Sequence, residues 1–308
     1  MRFSDGRGGR RRHVHSNWPV SQCGRLSTNW KFCSARGDTQ VPVRIRAASF
    51  NASDWYMVAG LPYVVRLAFG VPRPKGRVRG HDLAGEVTAV GSQVTRSQPG
   101  DLVFGATNGA FGEYACAPEE KLTVKPTSVT FEQAAAVPVA ALTALQGLRD
   151  HGDLQPGQRV LAIEASGGVG SFAVKIAKTF GAEVTGICST TNVELVSSIG
   201  AVRVIDHMRE DLTDTGRRYD LLLDIRGTRP LSRRLRLLYP GGTYVLAGGP
   251  RGHWIGPLAP FKLLVSKPFV GPRLCNLVAS INPEDLSTLS GLMTSEKRSR
   301  RPATAPIS

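Results

Sequence analysis

The sequence predicts an α/β protein in which a small β domain precedes a doubly wound parallel sheet. Three observations predict it. Val160-Leu161-Ala162-Ile163 is a short apolar run that ends in a glycine-rich bend and a helical pattern, as a buried parallel strand would. Apolar runs then alternate with helical stretches through residue 247, the spacing of strands joined by crossover helices. Before residue 130 the texture is different, with short apolar runs broken by Gly and Pro turns.

The bend reads Glu164-Ala165-Ser166-Gly167-Gly168-Val169-Gly170. Behind it Val169, Phe172, Ala173, Ile176, Ala177 and Phe180 fall at helix spacing, with Lys175 and Lys178 off that stripe. Strand, glycine bend and helix open a dinucleotide-binding unit. The glycines let backbone approach a pyrophosphate, and the helix start offers free N–H groups to it. Ser166, Gly167, Gly168, Val169 and Gly170 are therefore the expected pyrophosphate contacts. A glycine fingerprint alone is weak; the flanking strand and helix are the context it requires.

From the start of the chain, residues 1–40 are basic and without periodicity, and are expected to be disordered. Residues 41–47 alternate apolar and polar or basic side chains, as a half-exposed strand does. Residues 49–57 turn into a short helix, with Ser53 as the expected N-cap. Residues 70–80, rich in Pro, Gly and Arg, read as a loop. Strands follow at 81–91, 102–104 and 112–118, with a Pro99-Gly100-Asp101 turn between the first two. A short helix at 131–137 ends before Pro138, and a helix over 139–149 leads to the bend. Further strands are expected at 183–188, 202–205, 219–224 and 243–247. A helix over 192–199 is closed by Gly200, and a basic helix over 231–239 is stopped by Pro240-Gly241-Gly242.

The chain has 308 residues and a net charge of +15. Residues 1–46 hold ten Lys or Arg and two acids, and residues 295–308 hold four and one, so eleven of the fifteen charges sit at the ends. The middle has an ordinary balance, which disfavours a nucleic-acid surface on the folded part. No run of 18 apolar residues is present, so no membrane span is expected. The arginine-rich start has no apolar segment behind it and is not a secretory signal. Five scattered cysteines suggest reduced thiols and a cytoplasmic protein.

Several ordered segments carry a resemblance: Asn51-Ala52-Ser53-Asp54, residues 80–91, Pro99-Gly100-Asp101-Leu102-Val103-Phe104, residues 109–114, residues 141–145, Gly167-Gly168-Val169-Gly170 and Pro240-Gly241-Gly242. In these the chain resembles the zinc-independent branch of the medium-chain dehydrogenase/reductase superfamily, and within it the quinone oxidoreductases and NADPH-dependent enone reductases. The resemblance implies a GroES-like catalytic domain over 41–130, a Rossmann NAD(P)-binding domain over 131–293 and an active site in the cleft between the two domains; residues 294–308, outside the resemblance, read as a basic tail. It also implies that Asn51 and Tyr56 lie near the nicotinamide and substrate and that Thr143 contacts the cofactor. The expected reaction is NADPH-dependent reduction of a quinone or conjugated carbonyl, with a small-molecule substrate as partner and a homodimer left open.

Cofactor choice follows from chemistry. An NAD site wants an acid about twenty residues past the fingerprint, on the ribose 2′-OH. Ser189, Thr190 and Asn192 stand there instead, with no carboxylate to repel a 2′-phosphate, so NADP(H) is expected. His81 follows Gly80 as in the zinc branch, but that family's first ligand cysteine falls at Asn51, and residues 137–141 supply no ligand. Zinc needs three protein ligands, so no metal is expected and His81 is read as hydrogen-bonded. Glu164 stands where relatives have Gly or Ala; a carboxylate there repels a pyrophosphate. Both ends also depart from the family pattern, an arrangement expected to leave strand edges of the catalytic domain without partners. The alternative function is thus a catalytically impaired remnant that acts as a cofactor-binding or interaction protein.

Overall fold

The structure, a computed structural model, describes residues 37–59, 79–210, 216–227, 230–248 and 271–299. The chain opens with strand β1 (Gln40–Ser49), helix α1 (Ala52–Ala59), and strands β2 (Asp82–Val87), β3 (Leu102–Ala106), β4 (Tyr114–Pro118) and β5 (Leu122–Val124). These five strands form one antiparallel sheet in the order β4-β1-β2-β3-β5. Alternation in β1 buries Val41 and Val43 against Leu83, Val103, Ala117 and Leu122, as the period of two requires.

Helices α2 (Phe131–Ala135) and α3 (Pro138–Gln146) lead out of this sheet. Thr130 caps α2 through a reciprocal capping box with Gln133. Pro138 occupies the first turn of α3, where its missing N–H costs no helical bond. A π turn, Gly147–His151, follows. Next come β6 (Arg159–Ile163), α4 (Gly168–Thr179), β7 (Glu183–Cys188), α5 (Val193–Ser198), β8 (Arg203–Asp206), β9 (Tyr219–Asp224), α6 (Leu231–Leu235), β10 (Leu238–Leu246), β11 (Arg273–Asn276) and α7 (Pro283–Ser299).

The six later strands form a parallel sheet in the order β11-β10-β9-β6-β7-β8. One face buries Val160, Ala162, Leu221, Leu223 and Val245 against Leu145 and Leu148 near α3 and Ala173, Val174 and Ala177 of α4. The other buries Leu161, Ile163, Leu222, Tyr244 and Leu246. With both faces covered, the central strands β6 and β9 carry runs of buried apolar residues, Val160–Ile163 and Leu221–Leu223. The chain runs from β6 outward to β8, then returns to place β9 on the other side of β6. That reversal leaves a crevice at the carboxyl ends of β6 and β9, the place where open α/β sheets take their ligands. Ala84 and Phe104 of the antiparallel sheet join the core under α2 and α3, so the two sheets share packed helices.

The α/β class, the β domain before a parallel sheet and the strand–bend–helix unit are as the sequence predicts. Several details differ. Helix α1 begins at Ala52, so Ser53 lies inside its first turn and is not the N-cap; the preceding residue, Asn51, donates its N–H to Asp54 Oδ2 at 2.8 Å. The basic helix expected over 231–239 stops at Leu235, and Leu238 already pairs with Tyr219 in the sheet. Pro240-Gly241-Gly242 is therefore no helix stop but an irregularity inside β10, where the register slips between Leu238 and Thr243 and Gly241 takes φ 81°. Strand β11 and helix α7 were not expected. Leu286 and Leu289 of α7 are buried. Asp285 accepts from Gln146 Nε2 at 2.7 Å and Asn282 Nδ2 at 2.9 Å and pairs with Arg149 at 2.7 Å, tying α7 to the end of α3. Among the described residues Cys188 and Cys275 are free. Of the loop read over 70–80 only Arg79 and Gly80 are described, and the basic segment before residue 37 and the residues after 299 lie outside the described residues.

Candidate active site

The bend after β6 is built by backbone. Ala165 N–H bonds Ile187 O of β7 at 2.8 Å, and Gly167 N–H bonds Glu164 O at 2.9 Å. Glu164 has φ 62°, a conformation that costs a residue with a Cβ on the order of 1 kcal/mol. Gly170 packs on the same carbonyl: a Cβ there would lie 2.0 Å from Glu164 O, so only glycine lets α4 start this close to the strand. Helix α4 begins with Gly167 as N-cap and no side-chain cap. Gly168 is exposed, and the nearest atom to a Cβ placed on it is Ala140 Cβ at 3.8 Å. The first turn of a twelve-residue helix thus presents N–H groups that no side chain caps, with Gly168 exposed at the crevice. These residues fit the diphosphate of a dinucleotide, which needs bare amides and close backbone approach. Ser166 and Val169, flanking the glycines, are half-buried at the same bend.

Glu164 does not stand alone. Its carboxylate is ion-paired with the guanidinium of Arg226, two residues past the end of β9, and both side chains are partly exposed. The pair therefore spans the carboxyl ends of β6 and β9.

A second cluster lies at the ends of β7 and β8. Asn192 Nδ2 donates to Ser189 Oγ at 3.1 Å, and Thr190 Oγ1 donates to Asp206 Oδ2 at 2.6 Å. Asp206 also accepts Met208 N–H at 3.0 Å and lies 3.6 Å from Arg209 Nε. The Thr190 bond, first among these contacts, holds the Asp206 carboxyl below its ordinary range. An acid is thus present here, contributed by β8 rather than by the end of β7. Thr190, Thr191, Glu194, Asp206 and Arg209 line an open cleft.

The third cluster joins the two sheets. Asn51 Nδ2 donates to Asp82 Oδ2 at 2.9 Å. Both Asp82 oxygens lie 3.2 Å from Val139 N, in the first turn of α3, so this carboxylate caps a helix of the other domain. One turn along, Thr143 Oγ1 donates to Val139 O at 2.7 Å. Asn51 and Thr143 are therefore brought onto one network. Asp82 is fully buried, and burial, outweighing the donors from Asn51 and Val139, pushes its carboxyl up to about 7. His81 Nδ1 lies 2.6 Å from Asp54 Oδ1. That hydrogen bond raises the imidazole above its ordinary value against the opposing cost of burial. His81 is thus hydrogen-bonded to a carboxylate, as the sequence suggests. Tyr56 is half-buried one turn into α1, edge-on to Trp55 at 5.2 Å between ring centroids.

Sequence reasoning missed two of these residues. For Asp82 a signal exists: an acid at that point followed by an apolar strand marks a buried carboxylate needing donors. Arg226 carries no local signal; its role follows from the pairing of β6 with β9. Among the described residues no group of three or more His, Cys, Asp or Glu is arranged to hold a metal ion, and no helix is long and apolar enough to cross a membrane.

Comparison with known proteins agrees with this architecture. Residues 37–127 match the alcohol dehydrogenase GroES-like domain, and residues 168–286 match the zinc-binding dehydrogenase family. The chain is 33% identical over 279 residues to a chloroplastic quinone-oxidoreductase, QR1, of Triphysaria versicolor, a match spanning 85% of this chain and 80% of that protein. It is 36% identical over 226 residues to a quinone oxidoreductase of Pseudomonas aeruginosa, covering 70% of this chain and 67% of the relative. Among solved structures it resembles the quinone oxidoreductase of Coxiella burnetii, with TM-score 0.73, 28% identity and coverage of 84% and 80%. It also resembles the Escherichia coli quinone oxidoreductase complexed with NADPH, with TM-score 0.68, 26% identity and coverage of 85% and 80%. A GroES-like β domain, a Rossmann-type NAD(P)-binding domain with a bare glycine bend at its switch point, and these relatives make the chain a member of the zinc-independent, quinone oxidoreductase-like branch of the medium-chain dehydrogenase/reductase superfamily.

Proposed function

We propose that the chain reduces a quinone or conjugated carbonyl with NADPH. The observation that carries this reading is the uncapped first turn of α4 at the switch-point crevice. The hydride is supplied by the reduced nicotinamide when the cofactor is bound. Ser166 and the amides of Gly167, Gly168, Val169 and Gly170 hold the diphosphate. Ser189, Thr190 and Asn192 hold the adenosine ribose; no carboxylate ends β7 to repel a 2′-phosphate, and the charge of Asp206 is met by Thr190, Met208 N–H and Arg209. Thr143 and Asn51, joined through Asp82 and Val139, position the nicotinamide end and the substrate across the domain junction. Tyr56, a phenol that both donates and accepts, polarises the carbonyl and hands over the proton that follows the hydride. A homodimer and a cytoplasmic location are compatible with this reading.

A second reading has one observation in its favour. A carboxylate at Glu164, in a backbone conformation that favours glycine, stands beside the diphosphate seat, as an impaired remnant retaining only cofactor-binding or interaction would show. Turnover separates the two: consumption of NADPH by the purified chain with a benzoquinone or an enone such as methyl vinyl ketone. Quinone- or enone-dependent oxidation above the protein-free rate supports the reductase. Cofactor binding without turnover across both acceptor classes supports the remnant.

A further inference from the structure

We propose that Arg226 is a dinucleotide-binding residue and that Glu164 sets the affinity by holding its guanidinium across the mouth of the crevice. The inference rests on the NADPH-binding reading above and adds two residues to it.

Glu164 directly follows β6 and Arg226 lies two residues past β9, the two strands between which the chain order reverses. Their ion pair crosses the crevice that the reversal creates. Glu164 is also wired into the diphosphate seat. Its carbonyl oxygen accepts the Gly167 N–H at 2.9 Å and is the surface on which Gly170 packs. A ligand seated on the first turn of α4 therefore lies within one side chain's reach of the pair.

A lone carboxylate beside a doubly charged diphosphate opposes binding. At about 6 Å that opposition is roughly 0.7 kcal/mol per charge in water, and about 3 kcal/mol at the effective dielectric of a protein surface. Arg226 cancels it. Arg226 also has what a diphosphate needs, a planar fork of donors that binds carboxylate and phosphate by the same geometry. A diphosphate on the α4 amides and the Glu164 carboxylate thus compete for one guanidinium. Both side chains are partly exposed, so Arg226 can turn without opening the core, and an exposed pair is weak enough to exchange. The Asp224 carboxylate fixes the root of the loop: its Oδ1 accepts Arg226 N–H at 3.0 Å and Gly227 N–H at 2.9 Å. The backbone of Arg226 is held while its side chain changes partner.

Fluorescence titration with NADPH, on proteins first shown by thermal unfolding to be folded, tests this. Arg226→Ala is expected to weaken binding about tenfold, because it removes an attraction and leaves Glu164 uncompensated. Glu164→Gln frees the guanidinium and is expected to tighten binding about threefold or more. The double variant is expected to lie between the two single variants, nearer to wild type than Arg226→Ala alone. Arg226→Lys keeps the charge but not the fork and is expected to recover part of the loss. Should Arg226→Ala be folded and bind as wild type does, or should Glu164→Gln bind more weakly, the proposal is overturned. A wild-type chain that binds no NADPH overturns the functional reading along with it, whereas wild-type binding with unaltered variants overturns this proposal alone.

Discussion

Replacing Asp82 with Asn is expected to change how stability depends on pH, not merely its level. Asp82 is fully buried, and burial raises its carboxyl from 3.8 to about 7. A group with a higher pKa in the folded state binds more protons there than in the unfolded chain. Its contribution is therefore greatest below the unfolded value and is lost as pH rises through the interval to the folded value. Across that interval the loss is on the order of 4 kcal/mol. Asn cannot titrate, so the dependence goes. Asn also sets an amide N–H among the donors Asn51 Nδ2 and Val139 N, at a cost of about 1–3 kcal/mol that does not vary with pH. Wild type should therefore lead the variant most below about pH 4, and the gap should close or reverse by about pH 8. The neighbouring charged groups are Asp54 and His81. His81 is raised by Asp54, so its own contribution is present below its unfolded value and is lost as pH rises through its folded value; both proteins share this loss. Urea unfolding of the two proteins across that range, at one ionic strength, reads the gap. A gap that stays constant with pH would refute the reasoning.

Three further outcomes are expected. Gly170→Ala places a Cβ 2.0 Å from Glu164 O, where backbone must move; it should cost at least about 2 kcal/mol in unfolding free energy and abolish the NADPH fluorescence change. Asp285→Ala leaves Gln146 and Asn282 without their carboxylate and Arg149 without its buried partner; a loss of about 3 kcal/mol is expected in chemical denaturation, with NADPH binding by the remaining folded fraction retained. Tyr56→Phe should lower kcat about a hundredfold with little change in KM, as a proton-transfer role requires; equal kcat values would reduce Tyr56 to packing.

The parts of the fold that were legible are those that local chemistry decides. Val160 to Ile163 has both faces buried, so it reads as an uninterrupted apolar run, and Gly167, Gly168 and Gly170 mark a place where side chains do not fit. The misread parts had local patterns that fitted two structures. Leu231, Leu235 and Leu238 are compatible with one helix, yet Leu238 is taken by the sheet because Tyr219 of β9 offers it a ladder partner, which no local rule foresees. Asn51, Ser53 and Asp54 are all N-cap residue types, and position alone decides among them. Strand β11 is four residues, Arg273-Leu274-Cys275-Asn276, too short to show a period; it exists because β10 presents an edge. In the site, the glycine bend was visible, whereas the functional weight of Asp82 and Arg226 comes from partners 57 and 62 residues away in the chain. Glu164 is the mixed case. Its charge was legible as a departure, but the neutralising partner was not.

The central claim is that a dinucleotide seats its diphosphate on the first turn of α4. Hydrogen–deuterium exchange of the segment from Glu164 to Phe180, with and without saturating NADPH, tests it most directly. The account predicts slowed exchange of the amides of Gly168, Val169 and Gly170, which no side chain caps in the free protein. Unchanged exchange at those amides, with NADPH at about 1 mM, would contradict it.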